Sequence, residues 1–331
     1  MTQTLSMAII EKLHILRFRN LDNQYLEPNH NINLFVGGNS QGKTNLIEAL
    51  YYLGHNRSFR SKNIKDVVPF EKNFLQIEAM VDGVRVLLKK SKNKTTILFN
   101  QQKIASNSML THLIPTQIIS PDRGFVVGGP PKLKRSYLDW GVFHANPSSL
   151  VVYKSYNKAL KNINTLLTNN HTKQLDYWLA KIAALSVEIS CARDEYVKKL
   201  KKSSRFLLNT LTQQNNEFEF LLQTGWTRDT DHFDQESIYK YLIKNKGSFA
   251  KIKHLNYGPH KATIAYYLNK QNEQLLSRGE QKKLSVFFWI IQVVVLVELN
   301  IKPVVLVDDI SSELDQEKID LILGFLTKLE V

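Results

Sequence analysis

Apolar residues change period several times along this chain, and each change marks an element. In Ile9–Arg19, Leu13, Ile15, Leu16 and Phe18 predict a strand at a sheet edge. Ile32-Asn33-Leu34-Phe35-Val36 is a short apolar run of the kind that forms a buried strand, and Asn29–Asn31 before it is a turn. From Asn45 to Leu53 the period becomes helical, with Leu46, Ile47, Leu50 and Leu53 on one face. Phe74–Met80, Arg85–Lys90 and Thr95–Phe99 read as a meander of short strands, with Asp82-Gly83 as a hairpin turn. Thr116–Ile119 is another apolar run. A glycine–proline loop, Gly128-Gly129-Pro130-Pro131, precedes a helix. Residues 148–214 are almost wholly helical, with one break at 168–172. There Leu175, Trp178, Ile182, Leu185, Ile189, Ala192 and Tyr196 step by three and four over about three heptads. That register fits a helix–helix seam, and equally a helix packed on a globular core. Phe218–Leu222 reads as a strand, Gln235–Lys246 as a helix and Asn256–Lys261 as a loop. Val286–Val297 reads as a buried helix too short for a bilayer, and Pro303–Val307 as an apolar strand.

Composition narrows the classes. The 331 residues suffice for two ordinary domains, or for one carrying a large insertion. Cys191 is the single cysteine, which excludes an intrachain disulfide and points to a reducing compartment. Met1–Leu13 is too polar for a signal peptide. Together these predict a cytoplasmic protein without a membrane partner. Lys and Arg number 44 against 30 Asp and Glu, a formal charge of +14. That excess favours a polyanion, nucleic acid first, although a solvated basic surface has the same composition. One basic cluster, Lys198, Lys199, Lys201 and Lys202, ends the helical stretch. A second, Arg57-Ser58-Phe59-Arg60, follows the first helix. Both are candidates for DNA contact.

Candidate chemistry sits at the junctions of these elements. Gly37-Gly38-Asn39-Ser40-Gln41-Gly42-Lys43-Thr44 is G-x-x-x-x-G-K-[ST], placed between an expected strand and a helix. Loop N–H groups and the helix dipole would cradle phosphates. Lys43 would reach the β- and γ-phosphates of ATP, and the Thr44 hydroxyl would ligate Mg²⁺. Ser277-Arg278-Gly279-Glu280-Gln281 precedes the long apolar helix. A hydroxyl and a glycine N–H at a helix N-terminus make a second phosphate site, though Ser-x-Gly alone is usually only a cap. The strand ending at Asp308-Asp309 supplies two acids. Asp308 is placed for Mg²⁺ and Asp309 to polarise the attacking water, and a bound cation would relieve their repulsion.

Phosphate loop, Ser-Arg-Gly-Glu-Gln, Asp-Asp and Ser311-Ser312-Glu313-Leu314-Asp315 follow one another in the order of an ABC-type ATPase. About 230 residues separate the first two. The expected fold is α/β, an ABC-type ATPase head with mixed sheets split by a mostly helical arm. Residues 1–145 would form the lobe with the phosphate loop, 146–250 the arm, and 251–331 the lobe with the signature and Mg-binding motifs. An ABC transporter ATPase has a much shorter gap and signals for membrane coupling, so that reading is the less favoured one. A nucleotide-gated DNA clamp with negligible hydrolysis is the other alternative.

Phe18-Arg19-Asn20, Gly37–Glu48, Gly54–Ser61, Ser120-Pro121-Asp122, Gly128-Gly129-Pro130, Lys134–Asp139, Gly258-Pro259-His260-Lys261, Ser277–Leu284 and Leu306–Asp315 together resemble the RecF family of SMC-like ATPases. Arg-Ser-Phe-Arg and Gly-Pro-His are specific to that family; Lys261 stands where it usually has arginine. The resemblance implies a bacterial ATPase of DNA damage repair, recombination, replication restart and the SOS response. It implies a slow, DNA-stimulated turnover and an ATP-dependent homodimer that binds single- and double-stranded DNA at gaps. RecO and RecR would be partners in loading RecA. It also implies that Arg19, Asn20, Asn45 and Gln281 touch the nucleotide, and that Ser277 and Gly279 meet the γ-phosphate of the partner protomer's ATP. Gln117, expected at a strand end before the arm, would be a Mg²⁺-contacting catalytic amide. Arg57 and Arg60 would contact γ-phosphate or DNA. Family members usually continue past Val331 with a further strand, so a truncated end is expected.

Overall fold

Strand β1 (Ile10–Phe18) is interior, not an edge. It pairs antiparallel with β2 (Leu21–Leu26) on one side and with β3 (Phe74–Val81) on the other. The structure is a computed structural model that describes residues 9–104, 106–120, 123–170, 173–211, 217–310 and 316–329, with the side chains of 206–211 excepted. Beyond β3 the sheet continues through β4 (Val84–Ser91), β5 (Thr95–Phe99) and β6 (Gln102–Lys103), giving the order β2-β1-β3-β4-β5-β6. The meander is therefore as the alternation predicts. Asp82 (φ 49°) and Gly83 (φ 71°) both lie in the left-handed region, as a tight two-residue hairpin requires. β3 alternates half-buried and buried along its length, so one face packs on a core containing Leu13, Ile15, Phe18, Leu75 and Ile77.

Two compact units make up the chain: residues 1–125 with 282–331, and residues 126–281. In the first, α1 (Lys43–His55) lies against α2 (Asn107–Leu113) and β7 (Thr116–Ile119). A Cβ on Gly54 would stand 2.3 Å from Thr116 Oγ1 and 2.9 Å from the Ile114 carbonyl, so only glycine permits this approach. β7 is buried at every residue, as a strand covered on both faces should be.

The run Ile32–Val36 does not form the expected strand. Ile32, Leu34 and Val36 are exposed, Leu34 and Val36 by more than four-fifths, while Phe35 packs against the core. An apolar run specifies a strand only where a neighbouring strand takes up its N–H and C=O groups. Among the described residues, none pairs with this segment.

The second unit is organised by α3 (Pro131–Ala145), α4 (Ser149–Thr168) and α5 (Leu175–Leu211). α5 packs against α4 and against α6 (Gln235–Lys244), which α7 (Lys246–Ile252) follows. Leu175, Ile182, Leu185 and Ile189 of the heptad register lie in that core with Ile163, Leu167 and Leu242. The seam is thus real but belongs to a compact helical cluster. β8 (Phe218–Gln223) and β10 (Gln271–Asn272) flank β9 (Thr263–Leu268). The unit boundaries fall at 125/126 and 281/282, whereas the sequence places them at 145/146 and 250/251. α3 packs on α5 and β9, and β9 pairs with β8, so both stretches belong with the helices.

α8 (Arg278–Glu298) begins in the second unit and continues in the first, where Ser285 to Leu296 are buried. It leads to β11 (Val304–Val307), which runs parallel to β7 with Val304 opposite Thr116 and Val307 opposite Ile119. α9 (Gln316–Lys328) follows, and the Ser311–Asp315 cap lies outside the described residues. Among those described, no helix is long and apolar enough to cross a membrane.

Candidate nucleotide site

Helix α1 begins where Gly42 turns the chain through φ 98°. A Cβ there would meet Asn20 Oδ1 at 3.0 Å and Leu21 at 3.1 Å, on a backbone that side chains rarely adopt. Ser40 is also left-handed (φ 64°), and Gln41 Oε1 accepts the Gly38 N–H at 3.0 Å. Across the loop, Lys43 Nζ donates to the carbonyls of Gly37 (2.6 Å) and Gly38 (2.8 Å). The ammonium is thereby held over the loop, in reach of any phosphate seated on its N–H groups.

The Thr44 hydroxyl donates to Asp308 Oδ1 at 3.1 Å, across 264 residues of sequence. Asp308 is placed by its own N–H, which donates to the Ile119 carbonyl at 3.0 Å and so extends the parallel ladder. A hydroxyl and a carboxylate oxygen beside a phosphate loop form a hard, oxygen-only donor set, which suits Mg²⁺. Asp309 follows, exposed and left-handed (φ 50°), so its carboxylate is not buried with the strand.

Gln117 is corrected by the register. It is the second residue of β7, opposite Val305, and Ile119 is the residue that bonds Asp308. Gln117 therefore stops about 10 Å short of Asp308 along the strand at some 3.3 Å per residue. Its amide is fully buried, and neither polar atom has a hydrogen-bond partner among the described residues. That position does not fit a Mg²⁺ ligand or a catalytic amide.

Around α1, sequence reasoning missed a hub. Glu48 is fully buried and accepts Arg19 Nε (2.5 Å), Arg19 Nη2 (2.7 Å) and the Ser58 hydroxyl (2.5 Å), with Arg60 at 3.5 Å. Its one sequence signal is an acid between Ile47 and Ala49 on a helix buried nearly throughout. Arg19 Nη1 donates to the Asp66 carbonyl, so all three guanidinium nitrogens are engaged within the protein rather than offered to a nucleotide. Asn20 does reach the loop. Its Oδ1 accepts Asn45 Nδ2 (2.7 Å), and its Nδ2 lies 3.4 Å from the Ser40 carbonyl. Arg60 Nη1 donates to Asn45 Oδ1 at 3.2 Å, while Arg57 is exposed.

In the second unit, Ser277 forms a capping box with Glu280 at the start of α8. Its hydroxyl and N–H both donate to Glu280 Oε2 (2.7 and 2.8 Å), and the Glu280 N–H approaches Ser277 Oγ at 3.3 Å. Ser277 and Gly279 are exposed, and a Cβ on Gly279 would meet nothing within 4 Å. The Gln281 amide is turned inward and donates to the carbonyls of Glu273 (2.8 Å) and Leu276 (3.2 Å). The Glu273 carboxylate in turn accepts the Gly128 N–H at 2.7 Å and pairs with buried Lys134. Gln281 thus shapes the motif from within and leaves no amide facing outward. On α5, Lys198 is paired with Asp194 at 2.7 Å and Lys201 lies 5.9 Å from the Phe220 ring centre, while Lys199 and Lys202 are exposed.

Residues 9–330 match the RecF/RecN/SMC N-terminal domain family. The DNA replication and repair protein RecF of Psychromonas ingrahamii is 33% identical over 319 residues, covering 93% of this chain and 87% of its own. That of Actinobacillus succinogenes is 30% identical over 325 residues, with the same coverage of 93% and 87%. A solved structure of the recombination mediator protein RecF–ATP in the RecFOR pathway superposes with a TM-score of 0.86 at 26% identity, covering 98% of this chain and 91% of the other. The Smc head domain of Pyrococcus furiosus shares the fold, with a TM-score of 0.56 at 12% identity over 98% of this chain and 87% of the other. A phosphate loop whose threonine meets the aspartate of a distant parallel strand, within a sequence and a fold shared with these proteins, places the chain in the RecF branch of the RecF/RecN/SMC N-terminal domain family.

Proposed function

We propose that this chain is an ATP-dependent DNA-binding protein of recombinational repair and replication restart. ATP binds on Gly37–Thr44, with Lys43 at the β- and γ-phosphates and with Thr44 and Asp308 holding Mg²⁺. The metal supplies charge neutralisation at the phosphates. Asp309 polarises water in a slow hydrolysis that DNA stimulates. Ser277 and Gly279 contact the γ-phosphate bound by a second protomer, so ATP drives a homodimer. The openness around Gly279 supports this reading, because no close contact within the chain demands glycine there. RecO and RecR are the partners, RecA loading at gaps is the outcome, and the cytoplasm is the compartment. The likeness to a RecF–ATP structure of the RecFOR pathway supports that assignment. The observation that carries the proposal is the 3.1 Å contact between the Thr44 hydroxyl and Asp308.

The experiment is light scattering with and without ATP and Mg²⁺, paired with DNA binding under the same conditions. Wild type should shift from monomer to dimer and bind DNA more tightly with ATP. Lys43→Ala should lose tight ATP binding and with it the shift. Unchanged nucleotide affinity in Lys43→Ala would remove the assignment of this loop.

A further inference from the structure

The basic loop after α1 divides its cations. Arg60 turns to Asn45 and Glu48 on α1. Arg57 and Lys62 instead line a cavity of about 380 Å³, together with Lys90 of β4, Ser58, Ser61 and Asn63.

Lys90 is the informative member. It is half-buried, its Nζ donates to the carbonyl (2.9 Å) and side-chain oxygen (3.1 Å) of Asn56, and it lies 5.3 Å from the Tyr52 ring centre. Burial lowers its pKa. A lysine withdrawn from water ordinarily has a carboxylate partner. Among the described residues, Lys90, Arg57 and Lys62 have none. The neighbouring acids are already engaged: Glu48 by Arg19 and Ser58, and Asp66 by the Ser61 hydroxyl. Ser58 and Ser61 each donate to an acid and accept backbone N–H groups, and Asn63 Oδ1 accepts the Lys65 N–H. The concavity therefore presents three cations with their charge unanswered and few free acceptors, which is the complement of an oxyanion.

We propose that this cavity is a docking point for a phosphodiester of the DNA backbone. Two of its cations, Arg57 and Lys62, are exposed at the surface while Lys90 is half-buried, so the positive lining runs from the surface into the cavity and can be met by a backbone phosphate. Lysines act as point charges and suit a phosphate but read no base, so the contact is independent of sequence. The inference rests on the DNA-binding reading above and locates one contact of it. It also gives DNA a physical route to the nucleotide loop, because Ser58, on the cavity wall, donates to Glu48 on the phosphate-loop helix.

The test is fluorescence anisotropy of a labelled partial duplex over a range of salt, on wild type, Arg57→Gln, Lys62→Gln and Lys90→Gln. Removing one of these cations should weaken binding on every sequence and flatten the slope of log K against log salt, by at most the one unit or so that a single phosphate contact carries. Lys62→Arg should bind as wild type does. Lys90→Gln carries a risk to folding because of Asn56, so melting temperatures are compared, and the exposed Lys62→Gln and Arg57→Gln decide the matter if it melts early. Affinity and slope equal to wild type in both exposed variants overturn the proposal. So does a loss of affinity for fluorescent ATP with DNA binding intact, which would assign the cations to the nucleotide. A wild-type chain that binds no DNA overturns the functional reading and this inference together.

Discussion

Glu48 ties together the elements around the candidate nucleotide loop. A carboxylate with no solvent exposure is stable only if its charge is answered. Arg19 answers with two nitrogens, Ser58 with a hydroxyl, and Arg60 from 3.5 Å. Through these, the strand end at Phe18, the helix α1 and the loop at 57–62 are held to one centre. Glu48→Gln keeps the shape and removes the charge, leaving Arg19, whose side chain is 18% exposed, without its counter-ion. Breaking a buried pair in this way should cost about 3 kcal/mol, the low end for such losses because Arg19 retains some water. Urea denaturation followed by circular dichroism measures it, and a loss under about 1 kcal/mol would mean that the hub is ornamental to folding. The nucleotide loop was legible from sequence because glycine positions and a lysine at fixed spacing encode it. Glu48 and Lys90 were not, because an acid or a lysine in an otherwise ordinary segment reveals burial only once the packing is known.

At the scale of elements, sequence periodicity identified most stretches, Ile32–Val36 excepted, and failed on what they pair with. The meander follows from period alone, whereas the α5 heptads leave a seam and a helix on a globular core equally open until their partners are seen. The interior place of β1, the unpaired course of Ile32–Val36 and the position of Gln117 within β7 depend on neighbours that are distant in the chain. The Gly-Pro-His loop shows the same dependence. Its motif was visible, yet its role appears only in the clamp around it. Arg193 of α5 bonds Asp139 of α3 with two nitrogens (2.9 and 3.0 Å) and the Pro259 carbonyl with the third (2.7 Å). Tyr156 of α4 bonds His260 Nδ1 at 2.8 Å, and His260 Nε2 meets the Leu255 carbonyl at 3.0 Å. A carbonyl only accepts, so Nε2 carries the proton and Nδ1 accepts the Tyr156 hydroxyl. Burial holds this imidazole neutral, taking its pKa from 6.5 down to about 4, with Lys261, Arg135 and Arg193 adding repulsion. The unfolded chain then binds more protons than the folded one between those two values. Stability carried by neutral His260 is complete above pH 6.5 and is lost as pH falls toward 4, to the extent of about 3 kcal/mol. His260→Gln, compared with wild type by thermal melting across that range, should show a shallower fall on acidification. Equal slopes in the two proteins would show that His260 is not the group that titrates.

For the whole molecule, the phosphate loop and Ser277 lie in different units of the chain, and the proposed dimer assigns them to nucleotides in opposite senses. ATP can favour a dimer only by binding it better than it binds the monomer, so the added contacts must come from the second chain. Ser277 is exposed, so the fold should accept a larger residue there, at a cost of about 1 kcal/mol for the lost capping bond to Glu280. Ser277→Arg should therefore leave ATP binding to the monomer nearly intact and block ATP-driven dimerisation, because the arginine would occupy the space of the partner's γ-phosphate. Lys43→Ala fails for the opposite reason, in binding ATP at all. Mixed together, the two variants form a heterodimer in which one composite site carries both lesions and the other carries neither. ATPase activity should return in the mixture and peak near equal proportions of the two. If the mixture stays as inactive as each parent, while wild type dimerises normally with either one, Ser277 does not act in trans. Recovery in the mixture with no dimer seen by light scattering would fail the proposal in a different place, at the ATP-driven association itself.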